Sequence, residues 1–307
     1  MKTNAQFIGA LSAAPLSGRK TLSPPDAPPF KISLAEWSLH RTLIEGKLKH
    51  LDFPNVAKQD YGIDAIELVN QFFMDKAKDE DYLADLKKRA ADLGVSIILI
   101  MCDNEGMLGD PEQSKRTEAV ENHFKWAEAA KFFGCHSIRV NAFGKGTPEE
   151  QMGRVAESLR RLGEFCAKLG LNVLVENHGG LSSNAEWLVS LVKKVGLSNC
   201  GTLPDLGNFK IDDHTEYDRY KGVSEMMPYA KAVSAKALNF DEQGNETRVD
   251  YRRMMKMVLE AGYRGYVGIE YSGDKLSEPD GIRATKRLLE KVSHELLQPP
   301  RRKRVMN

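Results

Sequence analysis

Six times along this chain a helical pattern stops on a glycine and a short β-rich run follows, and that repetition decides the class of fold. The glycines are Gly62, Gly94, Gly134, Gly170, Gly196 and Gly262. In Leu86-Lys87-Lys88-Arg89-Ala90-Ala91-Asp92-Leu93-Gly94, for example, an amphipathic helix ends where glycine can adopt the left-handed conformation that closes a last turn. Strands are expected at 31–35, 64–68, 96–101, 136–141, 172–176, 201–205, 232–236 and 266–270. Their starts are separated by roughly 30 to 40 residues, the length of a βα unit with its loops. Near-continuous apolar strands alternating with helices form a parallel sheet covered on both faces. Eight such units predict an α/β chain folded as a single-domain, closed (β/α)8 TIM barrel over residues 30–296. No dinucleotide or P-loop glycine motif follows any strand, which argues against an open nucleotide-binding sheet.

Composition narrows the function classes. The 307 residues are 41% hydrophobic and 28% charged, as in an ordinary soluble globular protein. A formal net charge of +1 gives no electrostatic reason to expect nucleic acid or an anionic membrane as partner. No apolar run reaches the ~18 residues of a membrane span. Cys102, Cys135, Cys166 and Cys200 are too scattered for a zinc cluster and read as reduced core residues. Residues 1–29 differ in kind, with a weakly apolar stretch from Gln6 to Ala14 and a proline cluster from Ser23 to Pro29. Two readings stand for them: a disordered tail, or the remnant of an export signal. A cytoplasmic location is the default, with export to the periplasm as the alternative. Residues 297–307, with Arg301-Arg302-Lys303-Arg304, read as a solvated basic tail.

Three of the expected strands end on a carboxylate, at Glu176, Asp205 and Glu270. A buried strand does not normally finish on an unpaired charge, so each needs a metal, a cation or hydrogen-bond donors. The active site of an α/β barrel lies at the C-terminal ends of its strands. The other polar residues expected there are Trp37 and His40 after strand one, Glu67 on strand two, and Asp103 to Glu105 after strand three. Arg139 and Asn141 follow on strand four, His178 after strand five, Asn208 after strand six, and Ser234 and Lys236 on strand seven. Two-residue periodicity points Arg139 and Asn141 inward together. The competing reading of the three carboxylates is a buried ion-pair network with Arg139 and Lys236. His40, Glu67 and His178 have a packing or loop-orienting alternative, and Trp37 is placed to stack on a sugar ring. Ser183-Asn184-Ala185-Glu186 fits a capping box, and Asp212-Asp213-His214-Thr215-Glu216 reads as a solvated turn.

At these residues the chain resembles the xylose isomerase-like barrels, the sugar phosphate isomerases and epimerases. The resemblance covers about residues 30–296 and rests on Glu176-Asn177-His178, Asp205-Leu206-Gly207-Asn208, Ser234-Ala235-Lys236 and Gly268-Ile269-Glu270. It implies a divalent metal held from strands five to eight by a Glu, an Asp, a His and a Glu, with the two glutamates also moving a proton. Carried over, the acidic ligands fall on Glu176, Asp205 and Glu270. Two departures stand out: serine at 234 and asparagine at 208 occupy positions where the family has histidine. Oxygen donors suit Mn2+ or Mg2+ better than Zn2+. His178 offers a replacement imidazole if its loop folds inward.

Isomerising or epimerising a small keto sugar requires removal of a proton beside a carbonyl and stabilisation of the enediolate. Glu176 and Glu270 are suited to the proton transfers, and Lys236 adds positive charge near the developing oxyanion. The same enolate serves a lyase or dehydratase that eliminates from a keto sugar or inosose. A non-catalytic sugar-binding barrel is the third reading. The zinc endonucleases of the wider family need several histidines for a multi-zinc cluster and a basic face, whereas here the matching positions are Ser234 and Asn208 and the net charge is near zero. A homo-oligomer is consistent with barrels of this family.

Overall fold

The computed structural model describes residues 28–297. Both terminal segments, and with them the two readings of residues 1–29, fall almost wholly outside the described residues. Eight parallel strands follow one another in chain order: β1 Lys31–Ala35, β2 Ala65–Val69, β3 Ser96–Met101, β4 Ser137–Val140, β5 Asn172–Glu176, β6 Cys200–Leu203, β7 Val233–Ala237 and β8 Tyr266–Tyr271. Regular ladders join β6 through β1 to β8 and β7. The circle closes between β6 and β7 through isolated bridges at Thr202–Ala230 and Asp205–Ser234. Pro204 accounts for the gap in that ladder, since it has no N–H to donate. Its carbonyl still accepts from Ser234 N at 2.9 Å. This is the expected TIM barrel.

Strand and helix ends follow the glycine signal. The six junction glycines all have positive φ, between 62° and 88°, a region that costs other residues energy and glycine almost nothing. Strand four is shorter than expected and leaves Asn141 just beyond it, and strand six stops two residues before Asp205. The capping box was misplaced. Asn184, not Ser183, caps the helix Ala185–Val195 by accepting from Trp187 N at 3.2 Å. Ser183 instead ties the loop after β5 to the loop after β6, donating to Asn208 O at 3.0 Å.

The core lies in two places. Most buried apolar side chains fill the shell between strands and helices, while a small cluster including Ala35, Val69, Leu99, Met101, Leu174 and Leu203 fills the barrel itself. Along every strand alternate residues enter the barrel, which is why Glu67, Arg139, Glu176, Ser234 and Glu270 share its interior with those apolar groups. Among the described residues, no helix is long and apolar enough to cross a membrane. All four cysteines are buried and unpaired.

Candidate active site

The strand ends bring Glu176, Asp205 and Glu270 together, with one carboxylate oxygen from each lying within 4.8 Å of the others. All three are buried, at 1%, 0% and 4% exposure. Each is placed by neighbours in sequence. Asn177 clamps the chain below Asp205, accepting from Asp205 N at 2.7 Å and donating to Asp205 O and Asn208 O at 2.9 Å each. Asp205 Oδ1 accepts from Gly207 N and Asn208 N at 2.8 Å. Ser234 Oγ lies 2.7 Å from Asp205 Oδ2 and 3.2 Å from Glu270 Oε2. Ser234 therefore faces the triad, where the resemblance places an imidazole.

Two cations stand against these acids. Lys236 Nζ lies 2.7 Å from Glu270 Oε1, and Arg139 Nε lies 2.8 Å from Glu176 Oε2. The Arg139 N–H is not aligned with that oxygen, so the attraction is Coulombic and Glu176 Oε2 keeps no hydrogen-bond partner. The other oxygen of Glu176 accepts only from Asn208 Nδ2, at 3.2 Å. Asn208 is thus a donor to a ligand carboxylate.

The charge balance shows in the acidities. Burial pushes Glu176 up to about 7 against the pull of Arg139, with Glu270 adding repulsion. Burial likewise pushes Asp205 up to about 7, opposed by Lys236 and reinforced by Glu270. Burial also acts on Glu270, but the charge and hydrogen bond of Lys236 outweigh it and hold that carboxyl below the usual range. Lys236 and Arg139 are held firmly protonated: their acidic neighbours overcome the opposing effect of burial.

A cavity of about 530 Å³ opens beside this cluster. Glu270 lines it, together with Arg139, Asn141, His178 and Trp37. Glu176 and Asp205 lie behind its wall, as does Lys236. His178 Nδ1 is 2.8 Å from Asn141 Oδ1, and the ring is not among the groups clustered for an ion. It contacts the cavity and does not replace the missing ligand. Burial, then the charges of Arg139 and Lys236, depress its pKa, so it is neutral near pH 7.

Three residues read as substrate contacts, His40, Glu67 and Asn208, lie outside the cavity lining, and Asn208 is turned to Glu176 instead. His40 lies outside the cavity lining, stacked on the back of Trp37 with ring centroids 4.7 Å apart and its Nδ1 2.7 Å from Trp37 O. It holds Trp37 against the cavity. Glu67 lies within the barrel, 3% exposed, and accepts from Ser33 Oγ at 2.6 Å. Gly268 makes room for it, since a Cβ there would stand 2.4 Å from Glu67 Oε1. Burial pushes Glu67 up to about 7 despite the Ser33 hydrogen bond, with Glu270 and Glu176 contributing repulsion.

Asp103, expected at the barrel mouth but given no role by the sequence, and Phe143, which the sequence does not single out, complete the site. Asp103 receives Arg139 Nη1 at 2.7 Å and Asn141 Nδ2 at 2.6 Å, and so locks the orientation of both. Burial works to raise its pKa, but those partners prevail and hold it at about 2. Its position at the end of strand three was a signal. Phe143, 40% exposed in the loop after β4, forms part of the cavity rim.

The residues from 56 to 292 match the family model of the xylose isomerase-like TIM barrel, and the chain belongs to that family. Solved structures support the fold. A 3-keto-D-glucoside 4-epimerase from E. coli superposes with a TM-score of 0.67 at 15% identity, covering 85% of this chain and 99% of that one. A xylose isomerase-like protein from Mycobacterium smegmatis in complex with magnesium gives 0.66 at 17% identity, covering 87% and 98%. The IOLI protein with a bound zinc atom gives 0.67 at 14% identity, covering 87% and 99%. In sequence, the chain is 33% identical over 81 residues to the C-glycoside deglycosidase alpha subunit of Arthrobacter globiformis. That match spans only 24% of this chain and 23% of the relative.

Proposed function

We propose that this chain is a metal-assisted isomerase or epimerase that removes a proton beside the carbonyl of a small keto sugar. The observation that carries the reading is the convergence of three buried strand-end carboxylates beside a polar cavity, with too little positive charge to balance them. Glu176, Asp205 and Glu270 fit a divalent cation: an unpartnered oxygen on Glu176 and a donor set made wholly of oxygen favour Mn2+ or Mg2+. Ser234 stands ready as a fourth oxygen. When bound, such an ion polarises a carbonyl and offsets the charge of an enediolate.

The chain's own groups supply the rest. Glu270 is the acid of the triad that lines the cavity, so it is the base assigned to the first proton transfer. Glu176, behind Arg139, holds the opposite proton once the substrate draws Arg139 away from Oε2. Lys236, 2.7 Å from Glu270 Oε1, keeps that base ionised and faces the charge that develops next to it. Arg139 and Asn141, fixed by Asp103, direct hydrogen bonds at sugar hydroxyls, and Trp37 packs on the ring face.

Elimination is the second reading, favoured by the segment shared with a deglycosidase subunit. The same enolate expels a group from the adjacent carbon if an acid protonates it. Incubating the Mn2+-loaded protein with keto sugars in D2O tests both. Deuterium should enter the carbon beside the carbonyl. A product of unchanged formula marks isomerisation or epimerisation, and loss of water or an alcohol marks elimination. Absence of exchange with every keto sugar that binds would leave a sugar-binding barrel.

A further inference from the structure

Resting on the sugar reading above, we infer that the substrate is an uncharged sugar and that the site is built to exclude phosphate esters. The first observation is the charge of the cavity. Among the described residues lining it, Arg139 is the only fixed cation, while Asp103, Glu105 and Glu270 are acidic. Arg139 is committed to Asp103 at 2.7 Å and to Glu176 at 2.8 Å. The two histidines in the lining already have partners: buried His123 has its Nδ1 2.7 Å from Ala119 O, and His178 has its Nδ1 2.8 Å from Asn141 Oδ1. Lys145 and Lys275 stand on neighbouring loops, but neither lines the cavity.

A divalent ion offsets this charge without creating a positive excess. Glu176, Asp205, Glu270 and Asp103 set four negative charges against Arg139 and Lys236. A doubly charged cation brings the cluster to neutrality and leaves no surplus to hold a dianion.

The second observation is independent of the cavity. Barrels of this architecture commonly bind phosphate on the loops after strands seven and eight, where backbone N–H groups converge. Here the chain fills those positions with its own side chains. In the loop after β7, buried Glu246 accepts from Leu238 N and Asn239 N through one oxygen, at 3.4 and 3.3 Å. Its other oxygen accepts from Arg248 N and Val249 N, at 2.6 Å each. At the start of the helix after β8, Ser277 Oγ accepts from Asp280 N at 3.2 Å, while Glu278 occupies two N–H groups of the turn after β1, Arg41 N and Thr42 N, at 2.7 and 3.0 Å. Four other helix starts at this face are closed by their own side chains, as Thr147, Asn184, Asp218 and Asp250 each accept a backbone N–H. A phosphate would meet occupied donors and no surplus positive charge.

Paired ligands test the inference: D-fructose and D-fructose 6-phosphate, and D-tagatose and D-tagatose 6-phosphate, titrated calorimetrically into the Mn2+-loaded protein. Each neutral sugar should bind at least about tenfold more tightly than its phosphate. Phe143→Lys, which places a cation on the exposed rim, should narrow that gap from the phosphate side. A phosphate ester that binds the wild type as tightly as its neutral partner overturns the inference, and so does failure of every neutral sugar to bind. Deuterium exchange in the same samples separates the two readings. Neutral sugars that bind without exchange uphold this assignment and sink the isomerase.

Discussion

Two sets of buried carboxylates in this barrel have the same burial and opposite fates. Glu246 and Glu278, in the loop after β7 and at the start of the helix Glu278–Leu297, are 6% and 4% exposed. Backbone N–H groups surround them, four on Glu246 and two on Glu278, where the Thr42 hydroxyl adds a further bond at 2.6 Å. Glu176, at 1% exposure, has one long hydrogen bond and one oxygen with none. Burial alone therefore does not mark a site. A carboxylate saturated with fixed donors is scaffold, because the chain has already compensated its desolvation. Glu176, left short of donors beside two further buried acids, has an oxygen free for a group that arrives from outside.

Substitution by glutamine should divide the two sets sharply. Glu176→Gln and Glu270→Gln keep the shape but remove a proton acceptor, so turnover should fall by about 10²–10⁴. Glu270→Gln takes from Lys236 its 2.7 Å partner and should cost stability, but Glu176→Gln should leave the fold as stable as wild type or more so, since an under-compensated charge has gone. Glu246→Gln should do the reverse. Its amide NH2 would face two backbone N–H donors, and the loss of charged hydrogen bonds should cost about 4 kcal/mol in urea unfolding. Turnover per folded molecule should stay near wild type. Equal stability losses from Glu176→Gln and Glu246→Gln would break the comparison.

Glu67 refines it, as a buried acid with a single hydroxyl donor. Its folded pKa of about 7 lies above the usual carboxylate value because burial opposes its charge. The folded state thus keeps a proton that the unfolded chain has released. The stability it contributes is full below about pH 4.5 and is lost as pH rises to about 7, by about 3 kcal/mol in all. Glu67→Gln should flatten that part of the stability profile of the metal-free protein, as followed by thermal unfolding across pH 4–8. An unchanged profile would place the titration elsewhere.

Much of this was legible in the sequence because it depends on period and position. Alternation along a strand sends Glu176 and Glu270 inward, and the junction glycines number the βα units. What escaped depends on how separate strands meet. The sequence offers Arg139 as an ion-pair partner for the carboxylates, but its choice of Glu176 follows from the β4–β5 register, in which Arg139 lies opposite Leu174, and no local pattern encodes that. The commitment of Asp103 to Arg139 and Asn141 spans two strand ends in the same way. His40 was misjudged because a short helical turn, His40–Ile44, rotates it behind Trp37. Glu246 gave no signal, since its donors are backbone groups brought together by the fold of a long loop. Ser234 was read correctly for register: it reaches both Asp205 and Glu270.

The smallest expected effect concerns that serine. Ser234→His should tighten the binding of a first-row metal by about tenfold, because nitrogen donors hold such ions more firmly than a hydroxyl. Weaker binding would mean that the hydroxyl's bonds to Asp205 and Glu270 matter more than the added ligand.

A calorimetric titration of the metal-stripped protein with Mn2+ addresses the central claim directly. If Glu176, Asp205 and Glu270 are acids awaiting a cation, one Mn2+ should bind per chain, with proton release at pH 6–7 as Glu176 and Asp205, held near 7 by burial, give up their protons. Glu176→Gln should weaken that binding, and Glu246→Gln should leave it intact. No binding to the wild type, or binding that survives loss of Glu176 unchanged, would contradict the account and leave Arg139 and Lys236 as the cations that balance these carboxylates.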